Sequence, residues 1–147
     1  MLAIITPVKN ESRRLIHTAE QLISQSFIPK RWLIVDDAST DTTPNLIKKL
    51  ERDYEFILRI CISKRSGYDA VFGYRRVVRA GFDYALGFCR KLKFLGVLDV
   101  DIRPEKNYYE EIVNAFENVH RLGVASGLFF IPKKSSSSYL VPKNGQN

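Results

Sequence analysis

Two aspartates with one valine between them, Asp99 and Asp101, follow directly on the apolar run Phe94–Leu98. Residues two apart on an extended chain point to the same side, so both carboxylates can face one point at a strand's end. Two like charges held that close repel, and one takes up a proton unless a cation lies between them. A hard divalent ion meets that need. Mg²⁺ or Mn²⁺ accepts one or two carboxylates and fills its other positions with phosphate oxygens and water. The pair therefore reads as a metal clamp for a diphosphate, against the plainer reading of two solvated loop aspartates, one capping a helix at Pro104. Asp36 and Asp37 end another apolar run, Trp32–Val35. A carboxylate there can accept a hydrogen bond from a ring N–H or a ribose hydroxyl. Neighbours on a strand point opposite ways, so Asp36 also suits a structural role, and Ser39 and Asp41 suit capping of the turn. Glu11 follows a third run, Leu2–Thr6, either beside the same ligand or as a first-turn acid favoured by the helix dipole.

The elements that must carry these residues alternate between strand and helix. Leu2–Thr6, ended by Pro7, Trp32–Val35, Phe56–Ile62, Phe94–Leu98 and Gly123–Ile131 read as five strands. Between them, Ser12 caps a helix with Leu15, Ile16, Ala19, Leu22 and Ile23 at helical spacing. Thr43 caps a second helix, with Pro44 at its first position and Leu46, Ile47 and Leu50 inward. Ala70–Phe88 reads as a long helix with an apolar stripe of Val71, Tyr74, Val78, Phe82 and Ala85; Arg75 and Arg79 lie on its shoulder and Arg76 further round. Pro104 opens a last helix with Ile112, Val113, Phe116 and Val119 inward. This alternation predicts an α/β fold, a mostly parallel sheet with helices on both faces. In such sheets ligands gather at the carboxyl ends of the strands, where the strand order reverses. The loops PVKNES, DDASTD and DVDIRP all lie at such ends.

The 147 residues suffice for one domain with its own core, expected over 1–132, followed by a polar, serine-rich tail over 133–147. No apolar run approaches the roughly 20 residues of a membrane helix, and the start reads as a strand and not a signal peptide. Cys61 and Cys89 lack metal or disulfide spacing and read as buried thiols of a cytoplasmic protein. The net charge is +7, and residues 61–98 carry eight basic side chains against Asp69 and Asp83. Such a stretch is either a solvated surface or a face for phosphates, nucleic acid or anionic lipid. Its aromatics fall mostly on the apolar stripe, which argues against nucleic acid.

Four segments together resemble glycosyltransferase family 2, nucleotide-sugar transferases of the GT-A fold, which is Rossmann-like. They are Ile4–Glu11, a strand ending in P-x-x-N-E; Leu33–Thr43, a strand ending in V-D-D-x-S-x-D-x-T; the helical stretch Val77–Ala85; and Leu98–Asp101 with the D-x-D. The resemblance covers about residues 2–131 and implies specific roles. Asp37 would bind the nucleobase, with Pro7 and Glu11 lining the nucleoside pocket. Asp101 would coordinate Mn²⁺ or Mg²⁺ on the diphosphate, and Asp99 would lie nearer the ribose or donor sugar, close to the metal. Arg79 stands where the family usually has asparagine, and either Arg75 or Arg79 would add positive charge for the leaving group. The donor would be a UDP- or GDP-sugar. The acceptor would be a polysaccharide or lipid-linked glycan, which fits peripheral membrane contact. The general base is not identifiable: residues 132–147 contain no Asp or Glu, and the acceptor-binding half of the family is expected to be missing. An uncovered Gly123–Ile131 edge would favour a homodimer. The competing readings are a non-catalytic nucleotide-binding domain and a haloacid dehalogenase-like phosphatase.

Overall fold

The computed structural model describes residues 1–63, 70–89 and 91–127, with residues 70–72 described by their backbone alone. Its elements follow in the order β1 (Leu2–Val8), α1 (Ser12–Ile23), β2 (Arg31–Asp36), α2 (Thr43–Asp53), β3 (Ile57–Cys61), α3 (Ala70–Phe88), β4 (Phe94–Val97) and α4 (Tyr108–Asn118). The four strands form one sheet in the order β3-β2-β1-β4, and every pairing is parallel.

Strand alternation sorts the core onto the two faces of the sheet. Leu2, Ile4, Trp32, Ile34 and Ile57 pack with Leu15, Ala19 and Leu22 of α1, Ile47 and Leu50 of α2, and Tyr109 and Val113 of α4. Ile5, Leu33 and Val35 pack on the other face against Val77 and Ala85 of α3. The one polar group of Trp32 is satisfied inside the core, its Nε1 donating to Thr6 Oγ1 at 2.9 Å. Each fully buried aliphatic side chain is worth about 1.5–3 kcal/mol of transfer free energy, so this two-sided core is what holds the sheet rigid beneath the loops.

The structure adjusts several element ends. β1 runs through Pro7 to Val8, because its pairing with β4 ends at Ile5 and the missing N–H of Pro7 deprives no β4 residue of a donor. Glu11 and Thr42 are the N-caps of α1 and α2, each one residue ahead of the expected Ser12 and Thr43. α4 begins at Tyr108, four residues after Pro104, since the loop between them is held by the segment that follows α1: Gln25 Nε2 donates to the Glu105 carbonyl at 2.8 Å and the Ser26 amide to that of Lys106 at 2.8 Å.

The expected fifth strand is not formed over 123–127, and residues 128–131 and the 133–147 tail lie outside the described residues. Ile16 and Val119, placed inward from periodicity, are 45% and 51% exposed. Cys61 is exposed at the end of an edge strand and Cys89 is only partly buried. The inward line of α3 is Val77, Gly81 and Ala85, one helical step round from the expected stripe, so Tyr74 is left half-exposed. A Cβ at Gly81 would stand 2.6 Å from Ile5 Cγ2, so glycine is what lets α3 lie this close to β1.

Candidate functional site

The order in which strands are added to the sheet reverses between β1 and β4. β1 extends past the end of β4, so its last residues, Pro7 and Val8, border open space beside the D-x-D loop. There lies a cleft of about 240 Å³ whose walls include Pro7, Glu11, Asp37, Tyr74, Asp99 and Asp101. Five of the six site residues expected from sequence thus meet in one place.

Each carboxylate is delivered by a distinct local device. Asp36 and Asp37 follow one another at the end of β2, so alternation sends them to opposite faces. Asp36 turns to the α1–α2 face, where its Oδ1 accepts the Ser39 amide at 3.0 Å and its Oδ2 the Arg59 guanidinium at 3.1 Å. It is a turn-former, buried and paired. Asp37 turns toward α3, where Oδ1 accepts from Arg76 Nη2 at 2.9 Å and Oδ2 from Lys9 Nζ at 3.1 Å. Held between two cations it is an acceptor only, and each of its oxygens retains capacity for a further donor.

The D-x-D loop is anchored by its middle residue. Val100 packs into the core on the α1 side, and its carbonyl accepts the hydroxyl of buried Thr18 at 2.7 Å. With the valine held inward, the flanking carboxylates face the cleft. Asp99 Oδ1 accepts the Tyr74 hydroxyl at 2.8 Å. Partial burial, that hydrogen bond and the negative charges of Asp99 and Asp101 push the Tyr74 phenol up to about 12, so it stays a protonated donor.

The P-x-x-N-E loop is fastened to the β2–α2 loop through Asn10. Its backbone is left-handed, with φ of 55°. Its side-chain Oδ1 accepts the amides of Thr40 at 2.7 Å and Asp41 at 3.3 Å, while its own amide donates to Ser39 Oγ at 2.9 Å. The Glu11 amide donates to Thr43 Oγ1 at 2.9 Å. The Glu11 carboxylate is held by Arg14 Nη1 at 2.8 and 3.0 Å. Asp41 accepts the Thr43 amide at 2.8 Å, and hydrogen bonding to Thr43 holds its carboxyl below the ordinary range.

The cations at the site differ from those expected. Arg79 is 82% exposed and pairs with Asp83 on its own helix at 3.6 Å, outside the cleft walls. Lys9, Arg14 and Arg76 supply the positive charge at or beside the cleft instead. Helical geometry alone does not single out Arg76, because what brings it inward is its partner Asp37, 39 residues away in sequence.

A divalent ion fits the donor chemistry of Asp99 and Asp101. Both are oxygen donors facing one cleft, and among the described residues no cluster of three or more His, Cys, Asp or Glu side chains exists to enclose an ion fully. Two carboxylates with the remaining positions open is the pattern of a hard ion shared with phosphate oxygens.

Comparison with known proteins places the chain in a family and a fold. The model of "Glycosyl transferase family 2" matches residues 3–143, and the chain belongs to that family. Its fold is that of a solved S. aureus structure, TarS, superposing with a TM-score of 0.60 at 19% identity over 81% of this chain and 20% of that one. TarS 1–349 in complex with UDP, and the same fragment in complex with UDP-GlcNAc, each superpose with a TM-score of 0.61 at 19% identity, over 81% of this chain and 32% of theirs. This chain therefore spans between a fifth and a third of the length of those chains. No curated protein matches it. Family membership replaces the phosphatase reading.

Proposed function

We propose that the cleft between β1 and β4 binds the nucleoside diphosphate of a sugar donor, and that the chain serves the donor side of glycosyl transfer. The observation that carries this reading is the convergence of Pro7, Glu11, Asp37, Asp99 and Asp101 at the switch point between β1 and β4. Asp37, an acceptor held between Lys9 and Arg76, takes a ring N–H of the base. Pro7, Val8 and Val77 supply apolar wall for the nucleoside. Asp99 takes a ribose hydroxyl. Asp101, with Asp99 beside it, would hold Mn²⁺ or Mg²⁺ on the diphosphate. When bound, such an ion neutralises charge on the departing diphosphate. Lys9 and Arg14 add fixed positive charge at the same rim, where negative charge builds as the sugar–phosphate bond breaks. The acceptor is a polysaccharide or lipid-linked glycan in this reading.

The test is calorimetric titration of UDP and GDP, each with and without Mn²⁺. UDP and UDP-GlcNAc are the natural first probes because TarS 1–349 was crystallised with both. Metal-dependent binding, abolished in Asp101→Ala, is expected. Equal affinity without metal, or no binding of either nucleotide, overturns the proposal.

A further inference from the structure

We infer that Tyr74 is a positioning residue for Asp99: its hydroxyl ties down one carboxylate oxygen and so aims the other at the ribose of a bound nucleotide. This rests on the proposed nucleotide site and adds to it what orients the first aspartate of the pair. Tyr74 comes from the start of α3 and Asp99 from the loop after β4, and their 2.8 Å bond joins two walls of the cleft. Asp99 lies on an exposed loop, where a carboxylate with no partner would sample several rotamers. Asp101, equally exposed, makes no hydrogen bond or ion pair among the described residues.

The two aspartates are therefore unequal. One is fixed and the other adjustable. A hydroxyl donor needs an acceptor in a set direction, because a hydrogen bond weakens steeply with misalignment. A metal ion with open positions draws a mobile carboxylate into its own geometry. With Oδ1 already accepting from Tyr74, the Oδ2 of Asp99 is the more open acceptor for the sugar. The Tyr74 ring lies along the same wall with 48% of its surface open, so the hydroxyl can be removed without opening the core.

The experiment measures ribose discrimination. UDP and GDP, with their 2′-deoxy and 3′-deoxy forms, are titrated calorimetrically in Mn²⁺ against the unaltered chain, Tyr74→Phe and Asp99→Asn. The unaltered chain is expected to prefer the full ribose over one deoxy form by about tenfold, the scale of a hydrogen bond to a charged acceptor. In Tyr74→Phe that ratio is expected to fall below about threefold, with the affinity for the deoxy form little changed. A role confined to structure would weaken every nucleotide alike and leave the ratio intact, which overturns the inference while the site stands. Failure of the unaltered chain to discriminate also overturns it. Failure to bind any nucleotide overturns the site itself. Should Tyr74→Phe not fold, Tyr74→Leu takes its place, since it removes the same hydroxyl and must lose the same discrimination. Where Tyr74→Phe and Asp99→Asn both fold, the double variant must lose no more than either alone.

Discussion

Asp36 and Asp37 are adjacent in the chain and opposite in what they do. The side chain of Asp36 is 3% exposed and its Arg59 partner 18%, so the carboxylate has no water to fall back on and the guanidinium little. Asp36→Ala is expected to cost about 3 kcal/mol, because it leaves the largely buried Arg59 guanidinium without its carboxylate. Asp37 is equally buried, but Lys9 and Arg76 are 42% and 38% exposed and can turn to solvent. Asp37→Ala is therefore expected to cost about 1 kcal/mol or less and to abolish nucleotide binding. Thermal unfolding with UDP titration of both variants checks the contrast; equal loss of stability in the two would refute it. The V-D-D pattern shows both carboxylates in the sequence, and strand alternation already sends them apart. Their partners are not legible there, since Arg59, Lys9 and Arg76 are chosen by contacts 23, 28 and 39 residues away. Arg79 illustrates the same limit. Its place on the helix reads as the more suitable of the two, and only the position of Asp37 in space favours Arg76.

Loops hold their shape here through a few side chains fastened to helices or to one another. Asn10 combines a left-handed backbone with acceptance of two amides from the β2–α2 loop. Glycine at this place keeps the backbone and loses the bonds; alanine loses both. Asn10→Gly is expected to cost about 1 kcal/mol and Asn10→Ala about 2 kcal/mol in urea unfolding, an order that a purely side-chain role would not produce. Thr18 acts on the D-x-D loop from the middle of α1. Thr18→Val preserves shape and strands the Val100 carbonyl, so a loss of about 1–3 kcal/mol is expected, with weaker Mn²⁺-dependent nucleotide binding. Gly81 governs how closely α3 approaches the sheet. Alanine there gains about 1 kcal/mol of helix propensity and meets Ile5 at 2.6 Å, for an expected net loss of up to about 2 kcal/mol. The bounds of α3 and the cores of all four strands are readable from apolar periodicity. The start of α4 is not, because Gln25 and Ser26 hold the preceding loop through tertiary bonds. Thr18 likewise reads as a polar residue on an amphipathic helix until Val100 is seen against it.

At the scale of the whole molecule, one fact of topology places the site: β4 joins the sheet beside β1 and not beside β3. Composition carries no trace of that, and the family's motifs signal it only because three of them end in loops that the reversal brings together, while the fourth lies on α3. The same topology disperses the basic stretch. α3 is about 28 Å long, so Arg76 meets the cleft at one end while Lys91 and Lys93, past its other end, lie toward the opposite pole. Leu86 and Phe88, 70% and 73% exposed, lie at that far end too. No helix among the described residues is long and apolar enough to cross a membrane. A ligand at the switch point should therefore act on one pole of the domain alone. UDP at a hundred times its dissociation constant stabilises the native state by about 2.7 kcal/mol, which for a chain of this size raises Tm by about 5–10 °C. Amides that exchange by global unfolding gain protection everywhere under such linkage, so the informative ones are those that exchange by local opening. Among these, residues 8–11, 37–43 and 98–102 should slow with UDP and Mn²⁺. Residues 24–30 and 54–56, at the amino ends of β2 and β3, should not. A ligand held anywhere else, including the larger open hollow of about 390 Å³ beside Gln21, Arg103 and Lys106, would protect a different set and displace the site from the β1–β4 cleft.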